Sequence, residues 1–351
     1  MKKLNDEAFF NPDFIVPGNT LSAKEKEHLL NMEDRLKERI IGQDEAISAV
    51  CKAIRRNKAG FKDPNRPIGC FLFAGTTGTG KTEMCRALAE ILFGDERKLL
   101  KLDMSEYSTR WDTSRLTGAA PGFLGYENGG ILTNLVKENP KAVLCFDEIE
   151  KSADEVRSML LQILEDGILT SSQGEVVHFN DMLIILTSNV GAREISSGEK
   201  MMGFSKTNNV EEYTRDKIEK ALKLEFRPEF LNRIDEIIMF NKLIEKDVNQ
   251  ICKIMLKKIK SKAQRIGIKI DFDKTAITEL VKLGYSENYG ARELRRTISR
   301  QVEDLLADKI ILGELSAGDN IHLLFDSKNG FAAVKKKAVK TAIAKEGQDY
   351  D

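Results

Sequence analysis

The residues from Gly75 to Thr82 form the most specific chemical motif in this chain. They read Gly-Thr-Thr-Gly-Thr-Gly-Lys-Thr, which fits the phosphate-loop pattern of Gly, four residues, Gly-Lys and then Ser or Thr. In such a loop the glycines let the backbone bend, so that its N–H groups face phosphate oxygens, and the following helix adds its positive end. Lys81 is expected to reach the β- and γ-phosphates, and the Thr82 hydroxyl to hold Mg²⁺. The predicted nucleotide-binding residues are Gly75, Thr76, Thr77, Gly78, Thr79, Gly80, Lys81 and Thr82.

The alternative to a phosphate loop is an ordinary glycine-rich turn that happens to precede a lysine. The flanking sequence favours the phosphate loop, because the apolar run 70–74 precedes it as a buried strand would. The amphipathic stretch 82–93 follows it as a helix would. Strand, loop and helix in that order are the context that the motif requires.

A second chemical pattern is the acidic pair Asp147-Glu148 after the apolar run 142–146. Two acids at the end of a buried strand are costly unless they have cations or catalytic work. Beside a phosphate loop, Asp147 is expected to hold Mg²⁺, mostly through water, and Glu148 to polarise the attacking water as general base. The alternative is a solvated strand end whose acids cap the next helix. The pair also argues, weakly, for hydrolysis rather than phosphoryl transfer to a second substrate.

Three further residues could act on phosphate, although each is a weak signal alone. Asn189 follows the apolar run 182–187, where an amide can orient water or sense the γ-phosphate, but Asn also commonly starts turns. Arg233 and Arg292 could stabilise the charge of a phosphoryl transition state. For either arginine taken singly, a surface ion pair is the better interpretation.

The elements that position these residues alternate along the chain. Candidate strands, with helical patterns between most of them, are 70–74, 99–103, 142–146, 182–187 and 235–240. This alternation predicts an α/β fold with a parallel sheet covered by helices on both faces. After Phe240, helix-like segments 245–266, 274–282 and 291–312 dominate, with strand-like pieces 268–272 and 321–325. The predicted organisation is an amino-terminal arm and lead-in helix (1–39), a large domain (40–241), a small domain (242–327) and a flexible tail (328–351).

Composition excludes several classes of protein. The 351 residues are 41% hydrophobic and 31% charged, which suits a globular protein with a good core. Lys plus Arg equals Asp plus Glu at 55 each, so net charge gives no case for nucleic acid or an anionic membrane as partner. No apolar run approaches the ~20 residues of a membrane span, and the amino terminus lacks a signal-peptide core. Five scattered cysteines are expected to be reduced core thiols in a cytoplasmic protein.

Taken in order along the chain, these motifs resemble the AAA+ ATPases of the Clp unfoldase group, specifically the second ATPase ring of ClpA, ClpB and ClpC. The resemblance runs from about residue 21 to about residue 325. It implies a large AAA+ P-loop domain with a smaller, mainly helical lid, and ATP with Mg²⁺ as cofactors. The segments that carry it are 41–46, 75–82, 102–107, 122–127, 146–151, 187–189, 226–235 and 289–292.

The resemblance also implies roles for individual residues. Ile41 would border the adenine, and Asn189 would be the first sensor of the γ-phosphate. Arg233 would be the arginine finger that one subunit gives to its neighbour, and Arg292 the second sensor on the lid. A finger that acts on the neighbour implies a homo-oligomer, which the family builds as a hexamer.

Three further segments match family features that act on proteins. Gly122-Phe123-Leu124-Gly125 matches the substrate-gripping pore loop, usually Gly-Tyr-Val-Gly, and residues 166–179 resemble the segment with a second pore loop. Just upstream, Trp111, the only tryptophan, stands where the family commonly has charged and histidine residues. ClpA-like and ClpC-like unfoldases dock to the ClpP peptidase through an apolar-Gly-apolar tripeptide in this part of the chain, and Met202-Gly203-Phe204 is the expected counterpart. The alternative is a loop segment that folds back on the core.

The expected function is therefore an ATP-hydrolysing, ring-forming unfoldase that threads protein substrates through a pore. Its expected partners are a ClpP-type peptidase and an adaptor. The alternatives are a disaggregase or remodelling chaperone that needs no peptidase, and a nucleotide-dependent binding module that hydrolyses slowly. One ATPase cassette is present, and the chain is either a natural single-ring protein or a part of a longer parent.

Overall fold

A computed structural model describes residues 21–191, 209–286 and 290–336 of the chain. These residues group into two compact units. One unit contains the residues up to Thr76 and Gly80–Asn241, and the other contains Thr77–Thr79 and the residues from Lys242 onward. No helix in the three described segments combines the length and apolar character that crossing a membrane requires.

The first unit is built on a five-stranded parallel sheet with the strand order β2-β3-β6-β1-β7. A hairpin of β4 and β5 pairs antiparallel beside it. The strands are β1 (Gly69–Ala74), β2 (Leu99–Asp103), β3 (Val143–Asp147), β4 (Ile168–Thr170), β5 (Val176–His178), β6 (Leu183–Ser188) and β7 (Glu236–Met239). The predicted α/β fold with a parallel sheet is confirmed, and all five predicted strands of this unit are present within one or two residues.

Helices cover both faces of this sheet. The main ones are α1 (Ala23–Arg39), α2 (Asp44–Lys58), α3 (Lys81–Phe93), α4 (Thr113–Thr117), α5 (Ile131–Glu138) and α6 (Asp154–Asp166). Two further helices, Asn209–Glu225 and Pro228–Leu231, precede β7. Short 3₁₀ turns lie at Glu96–Lys98, Met104–Tyr107, Arg110–Asp112, Tyr126–Asn128 and Ile149–Lys151.

Alternation along β1, an interior strand of the sheet, explains why both faces of the sheet must be covered. Cys70 and Leu72 belong to the apolar cluster that includes α5 and α6, whereas Phe71 and Phe73 belong to the cluster that includes α1, α2 and α3. Because successive side chains of a strand point to opposite faces, a strand that is apolar at every position needs a layer on each side. All six residues of β1 are accordingly buried.

The helix α1 is packed into the first unit, where the sequence predicted a lead-in helix grouped with an amino-terminal arm. Leu29, Met32 and Leu36 are buried in the same apolar cluster as α2 and α3. At its end, the Arg39 guanidinium lies 2.8 Å from Glu83 Oε1 and 2.5 Å from Glu90 Oε2, both on α3. The amphipathic pattern showed the helix, but its covering partner is known only from the packing. Residues 1–20 of the predicted arm lie outside the described residues.

The second unit combines helices with a three-stranded sheet, and its chain extends further than predicted. Strand β9 (Asn320–Asp326) lies between β8 (Lys269–Phe272), which is parallel to it, and β10 (Gly330–Lys335), which is antiparallel. Residues 330–335 fall within the predicted tail, yet Phe331 packs on Phe325 with ring centroids 4.9 Å apart. The missed signal is the turn 326–330, where Lys328 N donates to Asp326 Oδ1 and Gly330 has φ +76°.

The helices of the second unit agree with the sequence except at one place. They are Glu245–Arg265, Lys274–Gly284, Ala291–Ile298 and Asp304–Ile311. One continuous helix was predicted over 291–312, and the structure instead has a π-helical segment at Ser299–Glu303. A π-bulge keeps the chain helical and apolar-periodic on both sides, so periodicity alone does not reveal it.

Candidate functional site

The loop from Gly75 to Thr82 lies between β1 and α3, at the carboxyl edge of the parallel sheet. Gly75, Gly78 and Gly80 have φ of +152°, +79° and +109°, a backbone region that residues with a Cβ rarely adopt. A Cβ at Gly75 would also lie 2.7 Å from the carbonyl oxygen of Phe240. Gly80 directly precedes α3, so the loop adjoins the N-terminal end of that helix, which carries the positive end of its dipole. Such a loop suits an anion with several oxygens.

Lys81 supplies the positive charge of this loop. Its Nζ donates to the carbonyl oxygens of Gly75 and Thr76 at 2.6 and 2.9 Å, and to Asn189 Oδ1 at 3.1 Å. The residue is buried, with 8% of its surface exposed. A buried ammonium held by loop carbonyls fits a phosphate group, which would provide the opposite charge.

Asp147 ends β3 next to this loop. One carboxylate oxygen accepts from the Thr187 hydroxyl, and the other lies 2.6 Å from Lys101 Nζ on the neighbouring strand β2. Burial acts to lower the pKa of Lys101, but the hydrogen bond and charge of Asp147 outweigh it, so the pKa of Lys101 is raised. Since both oxygens of Asp147 have partners, an Mg²⁺ ion fits at Asp147 through water rather than by direct contact.

Glu148 has a backbone conformation that separates it from every other non-glycine residue in the described segments. Its φ and ψ are 57° and 52°, in the left-handed region, which costs about 1–2 kcal/mol for a residue with a Cβ. Its N–H donates to Thr187 Oγ1 at 3.2 Å. Its carboxylate accepts from Asn189 Nδ2 at 3.2 Å and lies 2.5 Å from Lys151 Nζ, a hydrogen bond that raises the pKa of Lys151. Strain of this kind is typical of functional sites.

Asn189 joins the phosphate loop to the acidic pair. Its Oδ1 accepts from Lys81 and its Nδ2 donates to Glu148, so the one side-chain amide spans the space between cation and carboxylate. Its backbone N–H donates to Glu150 Oε1 at 3.0 Å, which fixes the residue at the end of β6. Lys81, Asp147, Glu148 and Asn189 therefore form one hydrogen-bonded cluster at the carboxyl edge of the sheet.

Ile41 lies in the turn between α1 and α2, which Gln43 fastens to the same edge of the sheet. The Gln43 side chain donates to the carbonyl oxygen of Asn241 and accepts from its N–H, both at 2.9 Å. Asn241 follows Phe240, whose N–H donates to Ala74 O at the end of β1. The predicted adenine contact of Ile41 stays a prediction, and its segment is anchored beside the start of the phosphate loop.

Arg233 lies near the amino ends of the parallel strands, whereas Lys81 lies near their carboxyl ends. Strand β7 runs parallel to β1, with Glu236 opposite Phe71 and Met239 opposite Ala74. Arg233 precedes β7, whereas the phosphate loop follows β1. The six residues of β1 separate the two by about 20 Å, which is further than an arginine side chain extends. Arg233 therefore cannot act on phosphate bound to Lys81 of its own chain.

Other predicted site residues lie outside this cluster. Arg292 is exposed in the first turn of the helix Ala291–Ile298 of the second unit, and its sensor role stays a prediction. Thr82 is partly buried in the first turn of α3, directly after Lys81. The predicted docking tripeptide Met202-Gly203-Phe204 lies outside the described residues.

The segment Gly122–Gly125 forms an exposed turn. Phe123 and Leu124 are 71% and 102% exposed, and Gly122 and Gly125 have φ of +87° and +88°. A hydrogen bond of 3.1 Å from Phe123 N to Ala120 O closes the turn. The Phe123 side chain belongs to neither apolar cluster of the unit. Phe123 is therefore an exposed side chain and not a half-buried one.

The hairpin of β4 and β5 supports this turn. The Gln173 side chain at its tip donates to Tyr126 O at 2.8 Å, and Ser172 N donates to Thr117 O at 3.0 Å. The hairpin occupies most of the segment 166–179, which sequence matching associated with a second pore loop. The two segments are thus hydrogen-bonded to each other next to the exposed Phe123.

Sequence reasoning assigned no role to Thr187, Lys101 and Lys151. Thr187 was noted only as part of a matching motif, although its hydroxyl bridges Asp147 and the Glu148 N–H. Lys101 meets Asp147 only because β2 and β3 are neighbours in the sheet. Lys151 lies three residues after Glu148, a helical spacing that could have indicated the contact.

Replacing Thr187 with Val should destabilise the protein and slow any reaction that uses Glu148. The change keeps the shape but removes the hydroxyl, which leaves the Glu148 N–H without its acceptor and one Asp147 oxygen, Oδ1, without its donor. We expect a loss of about 1–3 kcal/mol in the free energy of unfolding, measured by urea denaturation. Thr187→Ser keeps the hydroxyl and is the matched control. Equal stability of the Val and Ser variants would contradict the bridging role.

Two family descriptions match the chain. Residues 66–237 match "AAA domain (Cdc48 subfamily)", and residues 243–323 match "C-terminal, D2-small domain, of ClpB protein". The first match contains the phosphate loop, the acidic pair, Asn189 and Arg233. The second contains Arg292.

Two similar curated proteins are both longer than this chain. The chaperone protein ClpB of Oceanobacillus iheyensis is 45% identical over 90% of the chain, and ClpC/MecB of Bacillus subtilis is 44% identical over 92%. The chain spans only 39% and 40% of these two proteins. Among solved structures, a cryo-EM reconstruction of Hsp104 with ATPγS and FITC-casein matches with a TM-score of 0.78 and 36% identity. That match covers 90% of this chain and 53% of the Hsp104 chain.

Proposed function

The chain belongs to the Clp-type AAA+ family, and we propose that it is an ATP-hydrolysing, ring-forming unfoldase that threads polypeptides through a central pore. The observation that carries the proposal is the single cluster in which Asn189 connects Lys81 to Glu148. It places a phosphate-binding cation and a candidate general base at opposite ends of one amide. The relatives named above are a ClpB chaperone, ClpC/MecB and Hsp104, so protein remodelling is the activity that this family would drive with ATP.

Hydrolysis would proceed from the geometry of this cluster. Lys81 would exchange its loop carbonyls for the β- and γ-phosphates, since an ammonium binds a phosphate oxygen more strongly than a neutral carbonyl. Glu148 would accept the proton of the attacking water, and the Asn189 amide would hold that carboxylate toward the phosphate. Lys151 Nζ, 2.5 Å from the Glu148 carboxylate, would help to hold that side chain in place.

Thr82 and Asp147 are the residues that would hold Mg²⁺, Thr82 directly and Asp147 through water. A bound Mg²⁺ would neutralise charge on the β- and γ-phosphates. Thr187 and Lys101 fix the orientation of the Asp147 carboxylate through both of its oxygens. The residues therefore fit the metal without displacement of either partner of Asp147.

Ring formation is proposed from the position of Arg233. Because Arg233 lies about 20 Å from its own phosphate loop, its guanidinium would complete the site of a neighbouring copy. Each active site would then need two subunits, and a closed hexamer would provide every site with one arginine. Ile41 at the adenine and Arg292 as the lid sensor belong to the same proposal.

The pore contact is proposed for Gly122–Gly125. A ring of exposed Phe123 side chains could grip a chain by apolar contact, largely regardless of its sequence.

A path of contacts leads from the catalytic cluster toward this turn. Ala153 N, shortly after Glu148, donates to Tyr107 O at 3.0 Å, and Arg115 on α4 donates to Glu106 O at 2.8 Å. Movement at Glu148 would thereby reach the segment that carries Phe123.

Phe123→Ala tests the threading activity. We expect ATP binding to persist and the unfolding rate of a tagged fluorescent protein to fall by about thirtyfold, the effect of losing a ~2 kcal/mol aromatic contact. Phe61→Ala is the matched control, since Phe61 is similarly exposed, at 83% against 71% for Phe123. Unchanged substrate unfolding by the Phe123→Ala variant would refute the pore role.

We further propose a ClpP-type peptidase as the partner, with Met202-Gly203-Phe204 as the docking tripeptide. An apolar tripeptide among polar residues is a plausible anchor for a partner pocket. Degradation of fluorescent casein by the chain should require both ATP and the peptidase, and Phe204→Ser should abolish degradation while ATP hydrolysis continues. Equal degradation by the Phe204→Ser variant would contradict this docking segment.

No degradation at all, with ATP hydrolysis intact, would favour remodelling without a peptidase. The remaining alternative is a binding module that hydrolyses slowly. Substrate-stimulated ATP turnover would argue against that alternative, because a module that threads nothing gains no rate from a substrate chain.

A further inference from the structure

The main chain around Arg233 is held by buried or partly buried contacts. Arg66 donates through Nη2 to Arg233 O at 3.1 Å, and through Nε and Nη2 to Leu164 O at the end of α6. Two residues later, Asp235 accepts from Cys70 N at 2.9 Å and lies 2.5 Å from Lys62 Nζ. The Lys62–Asp235 pair is only 11% exposed on each side. The backbone that carries Arg233 is therefore fixed to both α6 and β1.

Close packing adds to this support. Gly167 ends α6 with φ +67°, and a Cβ there would lie 1.9 Å from the carbonyl oxygen of Asn65. The segment with Arg66 thus approaches α6 as closely as a glycine allows. Little movement of the backbone at Arg233 is possible without breaking these contacts.

The guanidinium of Arg233 is held in a different way. Its Nη2 lies 2.6 Å from Glu165 Oε1, and the two side chains are 43% and 47% exposed. Exposed pairs of this kind are worth about 0–1 kcal/mol, so the contact can be exchanged for a stronger one. Glu165 also lines a groove of about 710 Å³ whose wall includes Asp63, Asp166 and Asp181, so the local charge favours this position of the guanidinium.

We propose that Glu165 is the resting partner of Arg233, from which the guanidinium is transferred to the nucleotide phosphates of a neighbouring copy of this chain. The inference rests on the proposed role of Arg233 and adds a positioning residue to it. A nucleoside triphosphate carries several negative charges, whereas Glu165 carries one in a half-exposed position. The exchange is therefore favourable only when a loaded neighbour is present, which links subunit association to the nucleotide.

The Arg233–Glu165 pair should affect the free energy of subunit association. Breaking the pair opposes association, so its removal should strengthen association by up to about fivefold per interface, which corresponds to ~1 kcal/mol. In the assembled ring Arg233 has already left Glu165, so the maximal turnover rate should not change. A residue that only supports the fold would have the opposite effect, because its loss would lower maximal turnover and weaken association.

The test is ATP turnover of the full chain as a function of chain concentration. Glu165→Gln and Glu165→Ala should reach half-maximal turnover at about two- to fivefold lower concentration than the wild type, with the same maximum. The difference should shrink in ~1 M salt, because salt weakens exposed ion pairs. Glu314→Gln, which removes a similar exposed pair with Lys309 at 2.7 Å, is the matched control and should leave the curve unchanged.

The outcomes separate this inference from the function on which it rests. If Arg233→Ala is inactive and both Glu165 variants reach half-maximal turnover at the same or a higher chain concentration than the wild type, the resting-partner role is overturned. Full turnover by Arg233→Ala overturns the finger itself, and with it this inference. The combined variant Glu165→Gln with Arg233→Ala should be as inactive as Arg233→Ala alone.

Discussion

Replacing Glu148 with Gln should leave ATP bound and reduce its hydrolysis by about 10²–10⁴-fold. Gln keeps the size of the side chain and an oxygen that can accept from Asn189 Nδ2, so the loop and Lys81 keep their arrangement. It cannot take a proton from water, because an amide is not a base near neutral pH. The loss should therefore appear in turnover and not in nucleotide affinity.

Steady-state ATP turnover and the binding of a fluorescent ATP analogue, measured on the same preparation, separate the two effects. Glu155→Gln is the matched control, because Glu155 is an exposed acid on the following helix α6. It makes the same chemical change seven positions away. Normal turnover by the Glu148→Gln variant would refute the general-base assignment.

Replacing Arg233 with Ala should reduce ATP hydrolysis by about 10³–10⁵-fold, the range for a residue that stabilises phosphoryl transition-state charge. The residue lies at the edge of the sheet opposite Lys81, so the loss should reach the neighbour's site rather than its own. Saturating ATP should not restore turnover, because the missing group acts in the transition state.

Mixing variants tests whether the site is shared. The Arg233→Ala variant has an intact Lys81, and a Lys81→Ala variant has an intact Arg233. Mixed rings should contain some complete sites, so the mixture should hydrolyse ATP faster than either variant alone. Arg97→Ala, which breaks an exposed pair with Asp95, is the control for loss of a surface arginine. Full turnover by isolated Arg233→Ala subunits at high dilution would contradict the shared site.

Local pattern predicted the regular elements well, and the exceptions have identifiable causes. A lead-in helix was predicted to end at residue 39 and strand β2 to span 99–103, and the structure has helix α1 ending at Arg39 and β2 at Leu99–Asp103. Each depends on a periodicity that a window of sequence contains. The strand Gly330–Lys335 was missed because its stability comes from pairing with Asn320–Asp326 and from Phe331 on Phe325.

The identity of the candidate catalytic residues was available from the sequence by itself. The phosphate loop, the acids Asp147 and Glu148, and Asn189 each follow an apolar run, and parallel strands bring their carboxyl ends to one edge. A motif of this kind specifies residue types at fixed spacing, since the chemistry requires glycines, a cation and carboxylates in that order.

Only the tertiary structure decided which of these side chains touch. The strand order β2-β3-β6-β1-β7 places β3 beside β6, so Thr187 meets Asp147 and Asn189 meets Glu148. It also places Arg233 near the amino end of β1, beside Glu165 on α6. Residues that far apart in sequence meet because the strands of a sheet pair over long sequence distances and bury their apolar faces together. Local periodicity does not reveal which strands become neighbours.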